Sequence, residues 1–362
     1  MKKIAFYING LGNGGAERVT VNLARHFVQK GYEVLLVTSR VRADEYEQPE
    51  GTRRIISETI EPGSMNPVSY FYKRFKNIRT IWKTENPDVI VCFIGKCNVI
   101  GLITSWGLKI PVYVSVRSDP VQEYRSKLMR LLSKTLFAKA RGIIVQTEDA
   151  KNYFPKYLQR KAVILPNSLD ERFMIPRFEG IRKNEIVSVG RLEHNKNQKM
   201  LINAFAAIAS DYPEMELKIY GNGTHNEDLR EELMRQAVTL HIESRVKFMG
   251  YCHDMPQQIY QSRIFVLTSD YEGMPNALLE SMALGLACIS TDCPCGGPRT
   301  VIRDGENGLL IPVRDEKALE KALRKILGDS EVEERLGVNA HHIGEELSTE
   351  KVNTAWEKLI IS

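Results

Sequence analysis

The chain has 362 residues, 43% of them hydrophobic and 26% charged, with 50 Lys and Arg against 45 Asp and Glu. This is the composition of a folded globular protein, too long for one ordinary core and suited to two domains of about 150–200 residues each. No run reaches the ~18 apolar residues needed to span a bilayer, and residues 1–10 read as a first strand, because Asn9, Gly10 and the glycines after them stand where an export leader would need apolar residues.

The net charge of +5 is divided unevenly. Residues 1–170 hold 27 basic and 15 acidic side chains, +12, and the remainder holds 23 and 30, −7. Such asymmetry points to an anionic partner for the amino-terminal half, either acidic lipid or a diphosphate-linked acceptor. No basic-aromatic motif or helix-turn-helix pattern accompanies it, so no nucleic acid is expected. The six cysteines (Cys92, Cys97, Cys252, Cys288, Cys293 and Cys295) form no C-x-x-C pair and no zinc spacing. Reduced, mostly buried thiols are the expectation.

In chain order, apolar runs at Ile4–Ile8, Glu33–Thr38, Val89–Phe93, Val112–Val116 and Gly142–Gln146 predict strands, with helices over Glu17–Gln29 and Gln122–Lys139. Alternation of this kind implies parallel strands joined by crossover helices. The stretch Arg40–Val68, with Pro49, Gly51, Pro62, Gly63 and Pro67, reads as loop around one strand near Arg54–Ile60. After Leu165-Pro166-Asn167-Ser168-Leu169-Asp170, Pro176 and Gly180, which mark a boundary near 170–182, the pattern restarts. Strands are predicted at Ile186–Val189, Leu217–Tyr220, Val246–Phe248, Ile264–Thr268 and Ala287–Ser290, alternating with helices at Gln198–Ser210, Glu227–Thr239 and Asn276–Leu284. A last helix near Thr349–Ile361 spaces Val352, Trp356, Leu359 and Ile360 on one side. The fold class is α/β, with two doubly wound Rossmann-like domains.

Three motifs carry chemistry. Gly10, Gly12 and Gly15 form G-x-G-x-x-G between a strand and a helix, and the second strand ends in Thr38-Ser39-Arg40, which together suit an NADP-dependent oxidoreductase. Arg191 and Lys196 lie five apart in one strand-to-helix loop after Gly190, so both cations reach the strand end, where they suit a diphosphate leaving group. Finally, Glu272 and Glu280 bracket Gly273-Met274-Pro275-Asn276-Ala277-Leu278, a turn leading from a strand into a helix. Open α/β sheets bind ligands at that end of their strands, and amides opening a helix favour a diphosphate. A solvated Glu before a helix and a water-facing Glu on it are the plain alternative.

The last segment resembles the E-x7-E signature of the retaining glycosyltransferases of family 4, which have the GT-B fold of two Rossmann-like domains facing a central cleft. The Gly-Gly-Ala-Glu-Arg stretch from Gly14 and the Gly-Arg-Leu-x-x-x-Lys-Asn stretch from Gly190 are similar to the same family. The resemblance implies that Glu272 meets the donor sugar, that Glu280 bonds the ribose hydroxyls, and that the amides from Gly273 to Leu278 approach sugar and diphosphate. It also implies donor-phosphate approach at Gly14 and Gly15, charge stabilisation by Arg191 and Lys196, and a nucleotide near Gly221. Cys293–Pro298 and Asp304–Leu310 would support the donor-side loops. The implied domains are an acceptor-side unit, 1–170, joined by a crossing helix in 346–362, and a nucleotide-sugar unit, 171–345.

One position departs from the family pattern. Many members carry a His after the strand equivalent to Val112–Val116, and here Arg117 stands there. An Arg stays protonated and is no general base, so its implied catalytic role is electrostatic, with a salt bridge to Asp119 as the alternative. His194, in the phosphate loop, reads as a solvated side chain. The base is unassigned. No D-x-D triplet occurs, and neither a catalytic metal nor a cofactor is expected.

The resemblance implies a retaining transferase moving a hexose or N-acetylhexosamine from a nucleotide sugar, UDP-linked by preference, to a polyprenyl-diphosphate-linked oligosaccharide or a surface-polysaccharide intermediate. An inactive sugar-nucleotide-binding protein is the second alternative beside the oxidoreductase. The expected location is cytoplasmic, with a peripheral place on the inner face of the plasma membrane as an option. For that option the segment 122–139 aligns Lys127, Arg130, Lys134 and Arg141 opposite Leu128, Leu131, Leu132 and Leu136, a basic amphipathic helix, with Lys73-Arg74-Phe75-Lys76 as a second basic cluster. An ordinary surface helix is its alternative.

Overall fold

A computed structural model describes residues 2–12, 14–41, 45–58, 66–224 and 227–361. The chain divides into two compact units, one of Met1–Ser168 with Glu350–Ser362, the other of Leu169–Thr349. Together the two parallel sheets make the pair of Rossmann-like domains expected.

The strands of the first unit are β1 (Lys3–Ile8), β2 (Glu33–Thr38), β3 (Thr52–Ile56), β4 (Val89–Phe93), β5 (Val112–Ser115), β6 (Gly142–Val145) and β7 (Ala162–Ile164). They pair in the order β3-β2-β1-β4-β5-β6-β7, every pair parallel. β1 is buried along Ile4–Ile8 and β4 throughout, as expected of strands covered by crossover helices on both faces. The second unit has β8 (Lys183–Val189), β9 (Glu216–Tyr220), β10 (Val246–Gly250), β11 (Ser262–Leu267), β12 (Ala287–Thr291) and β13 (Leu309–Ile311), in the order β10-β9-β8-β11-β12-β13. In each sheet the order reverses once, beside β1 and β4 in the first and beside β8 and β11 in the second. Chain leaving two neighbouring strands at such a point diverges, and a crevice opens at their carboxyl ends.

The last helix, Thr349–Ile361, completes the first unit. Trp356 is fully buried and stacks on Phe93 with ring centroids 5.8 Å apart. Val352 and Ile360 enter the same core, and Glu357 accepts from the Tyr32 hydroxyl at 3.1 Å and lies 3.0 Å from His26 Nε2. The helical spacing of the apolar residues is therefore the spacing of a core face.

Several boundaries differ from the sequence reading. The stretch Gln122–Lys139 is not one helix. Asp119 caps a short turn, Pro120–Glu123, and Tyr124 leaves helical geometry at φ −115, ψ 36. Ser126 then accepts from Met129 N at 3.2 Å and starts a separate helix, Lys127–Leu136. Arg141 lies beyond that helix and donates its amide to Val112 O. Leu128 and Leu131 stand 65% and 60% exposed, with Leu132 and Leu136 half-buried, so the leucines do not form one packed face. β3 begins two residues before the predicted strand near Arg54–Ile60, whose last two residues lie outside the described ones. Pro67, read as loop, instead opens a 19-residue helix, Pro67–Glu85, behind an Asn66 cap. Proline suits that first position because its missing N–H has no helical partner to lose.

Candidate active site

At the reversal point of the second sheet, the loops leaving β8 and β11 are bound to one another. The Thr268 hydroxyl donates to Lys196 O at 2.8 Å, and Asp270 N donates to Asn195 O at 2.7 Å. The Lys196 stem runs past Gly190, where an added Cβ would lie 3.7 Å from it, and its ammonium pairs with Glu272. Glu272 Oε1 also accepts from the Ser269 hydroxyl at 2.7 Å. Both charged side chains are largely buried, at 17% and 13% exposure. Glu272 is thus no solvated residue before a helix but one half of a sheltered ion pair.

The Glu272 backbone is held as firmly as its side chain. Its N–H donates to Pro294 O at 2.7 Å, and its carbonyl accepts from Cys295 N at 3.1 Å. Gly297 makes this close approach possible, since a Cβ there would fall 1.7 Å from Gly273 O. Glycine is needed at Gly221 too, with φ +125 and an added Cβ only 2.0 Å from Gly190 O. That glycine draws the end of β9 against the start of the Arg191 loop, where Leu192 N donates to Asn222 O.

The turn then enters the helix Asn276–Ala283, preceded by Pro275, which has no side-chain acceptor to cap it. Gly273, Met274, Pro275 and Leu278 are buried, and Asn276 and Ala277, at the helix start, are half-buried. Glu280 is 6% exposed between Leu279 and Ser281, themselves buried. The water-facing alternative is therefore set aside for Glu280. A carboxylate in such surroundings is costly unless hydrogen-bonded. Arg191 differs: its side chain is 60% exposed and pairs with Glu193 at 3.0 Å. His194 is 77% exposed, 3.5 Å from Glu227, as a solvated loop residue should be. Ser269, Thr268 and Glu193 were not singled out in the sequence, because single hydroxyls and loop acids leave no pattern.

In the first unit, Gly14 precedes the helix Gly15–Gln29, whose start has no side-chain cap. The preceding loop is covered by the segment at Glu45, which accepts from Leu11 N at 3.1 Å, while Tyr46 N donates to Leu11 O. Arg40, at the strand end that suited the NADP-dependent oxidoreductase alternative, is engaged by Glu58 at 3.2 Å and by the Tyr70 hydroxyl. Arg117 is 9% exposed and points inward. Its guanidinium donates to Leu165 O at 3.2 Å and to Asn167 Oδ1, and lies 5.6 Å from the Trp356 ring centroid. Asp119 is not its partner: that carboxylate caps Val121 N. Burial lowers the Arg117 pKa to about 9, which leaves it charged at neutral pH.

Two family models match the chain in tandem: Glycosyltransferase Family 4 over residues 13–173 and Glycosyl transferases group 1 over residues 171–342. A Campylobacter jejuni protein named GalNAc-alpha-(1->4)-GalNAc-alpha-(1->3)-diNAcBac-PP-undecaprenol alpha-1,4-N-acetyl-D-galactosaminyltransferase is 28% identical, over 99% of this chain and 98% of its own. The Erwinia amylovora amylovoran biosynthesis glycosyltransferase AmsD is 22% identical over 99% and 100%. Among solved structures, Anabaena HepE in complex with UDP and glucose matches with TM-score 0.84 and 18% identity over 99% of both chains, a likeness of fold. With both sheets, their reversal points and the two tandem matches in agreement, the chain belongs to the group 1/family 4 glycosyltransferases of the GT-B fold.

Proposed function

We propose that the chain is an α-retaining transferase that moves a hexose or N-acetylhexosamine from a UDP-sugar to a polyprenyl-diphosphate-linked or surface-polysaccharide acceptor, without a metal. The observation that carries this is the Lys196–Glu272 pair at the β8/β11 reversal, ahead of an uncapped helix start and the buried Glu280. On this reading the second unit, from about residue 171 to 345, takes the donor. Lys196, with the more exposed Arg191, bears the diphosphate charge that develops as the glycosidic bond breaks. The backbone from Gly273 to Leu278 faces sugar and diphosphate, Glu280 holds the ribose, and Gly190 and Gly221 shape the floor. Glu272, freed from Lys196 as phosphate replaces it, meets the sugar. Gly14 and Gly15 are assigned to the donor phosphate on the family resemblance alone.

The acceptor class rests on the names of the relatives, one of which acts on an undecaprenol-diphosphate-linked glycan. We assign it to the first unit, 1–170 with the last helix. Arg117 supports that side from within, since its guanidinium is already committed. Attachment to an anionic membrane surface is supported by Lys127, Leu128, Arg130 and Leu131, all exposed on the helix Lys127–Leu136. No described helix is long and apolar enough to cross a membrane. A screen of UDP-hexoses and UDP-N-acetylhexosamines for UDP release, with and without lipid-linked acceptors, tests the reading. Binding of UDP-sugars with no UDP released under any condition would favour the inactive binding protein instead.

A further inference from the structure

The loop that carries Lys196 is not fixed by packing. Residues 193–197, Glu-His-Asn-Lys-Asn, include no apolar side chain, so hydrogen bonds set its shape. Within the loop, Lys196 N donates to Glu193 O at 2.9 Å and Asn197 N to His194 O at 3.1 Å. From outside, His194 N donates to Glu227 Oε1 at 2.9 Å, and the Thr268 hydroxyl donates to Lys196 O. One residue reaches the chain on both sides of Lys196. Asp270 N donates to Asn195 O at 2.7 Å, and Asp270 Oδ1 accepts from Asn197 Nδ2 at 3.4 Å. Asn197 is where the turn becomes a helix: it adopts φ +49, which asparagine tolerates better than most residues, and its Oδ1 accepts from Met200 N at 3.4 Å. Asp270 thus grips Lys196 by its two neighbours, while Glu272 meets its ammonium.

Asp270 is itself held from a third loop. After β13, Arg314 Nε donates to Asp270 Oδ2 at 3.0 Å, and Nη2 donates to the same oxygen. Arg314 adopts φ +61, a conformation seldom taken by residues other than glycine and asparagine. The next residue, Asp315, caps the helix Glu316–Leu327 by accepting from Ala318 N at 2.9 Å. The guanidinium therefore comes from a short turn fixed at both ends, and the Asp270 side chain that it meets is only 16% exposed. Loops after β8, β11 and β13 converge on this one carboxylate.

We propose that Asp270, locked by Arg314, is a positioning residue for Lys196: it keeps the lysine aimed at the strand end when Glu272 gives up the ammonium to the donor diphosphate. This rests on the assignment of the diphosphate to Lys196. Before a donor binds, Glu272 restrains the ammonium directly. Once phosphate takes that place, the restraints that remain act on the backbone, and Asp270 supplies those on both flanks. Lysine carries its charge on a flexible four-carbon stem, so a loop already fixed at the backbone leaves less freedom to lose when the diphosphate arrives.

The test is calorimetry with UDP on the full chain, beside an NMR titration with uridine, which keeps base and ribose but lacks the diphosphate. Asp270→Ala should weaken UDP binding about tenfold, the size of one charged hydrogen bond, and leave uridine binding unchanged. A site merely disordered by the substitution would lose both. In Lys196→Ala, UDP affinity should fall at least as far, and adding Asp270→Ala should cost nothing further, because the two act through one ammonium. Arg314→Asn keeps a residue suited to the positive φ, so it should melt with wild type yet bind UDP about threefold more weakly, as for an exposed ion pair. It serves if Asp270→Ala folds poorly. Equal losses for UDP and uridine, losses that add in the double variant, or full UDP affinity in Arg314→Asn each overturn the proposal. Wild-type UDP affinity in Lys196→Ala is a separate result: it ends the diphosphate assignment itself, and Asp270 then has no lysine to position.

Discussion

The two reversal points use charge in opposite ways. In the second unit, Arg191, Lys196 and Glu272 stand at the strand ends, paired with one another or with a neighbour. In the first unit, Arg117 and Glu123 are drawn beneath the loops, where they bind backbone and the last helix. On the function proposed above, the same topology supplies reactive charge on one side and rigid shape on the other. A diphosphate needs cations at hand, whereas an acceptor needs a wall that keeps its form.

The largest effects should fall on the reactive side. Lys196→Ala is expected to lower transfer by orders of magnitude and Arg191→Ala by less, because Lys196 is sheltered and Arg191 is 60% exposed, where screening weakens it. EDTA should leave the rate unchanged. Activity lost to EDTA and restored by magnesium or manganese would transfer the leaving-group charge from these side chains to a metal.

Next in size, Glu280→Ala should weaken UDP binding, by roughly 10- to 150-fold for about 1.5–3 kcal/mol of charged hydrogen bonding. Glu272→Ala should chiefly lower the rate, since contacts to the sugar strengthen as the bond breaks. Calorimetry with UDP beside steady-state rates separates the two. Unchanged UDP affinity in Glu280→Ala would end the ribose assignment.

A smaller effect probes the rigid side. Between the ordinary Glu value of 4.5 and its folded value of about 7, folded Glu123 holds a proton that the unfolded chain has released. Its contribution to stability is therefore greatest below the lower value and is lost as pH rises through the upper one. The difference in Tm between wild type and Glu123→Gln should shift against wild type from pH 5 to pH 8. A flat difference would remove Glu123 as a titrating group.

The smallest effect concerns the membrane. Four or five basic residues at about 1 kcal/mol each give binding to anionic liposomes that high salt should abolish, with neutral liposomes ignored. Leu128→Ser with Leu131→Ser should weaken it further. Equal partitioning in every condition would reserve the amino-terminal charge for the acceptor or for solubility.

Much of this was legible from local pattern. A fully apolar run such as Val89–Phe93 has few other stable uses than an interior parallel strand, and the strand-turn-helix around Glu272 and Glu280 follows from chain neighbours alone. The break at Tyr124 to Ser126 was hidden, because no glycine or proline falls between residues 121 and 139 to mark it, while a serine cap and a buried tyrosine interrupt the backbone. The helix opened by Pro67 was missed because proline also marks loops.

The sequence by itself determined the class of fold, the alternation that doubles it, and the glycines, cations and acids at strand ends, since these depend on periods of two and 3.6 residues and on fixed spacings along one loop. Only the tertiary structure decided that Lys196 meets Glu272 across 76 residues, that Glu280 faces inward, and that Arg117 is spent on Leu165, Asn167 and Trp356. Those outcomes depend on which strands become neighbours and on how much water each side chain retains, and neither is a property of the chain near the residue.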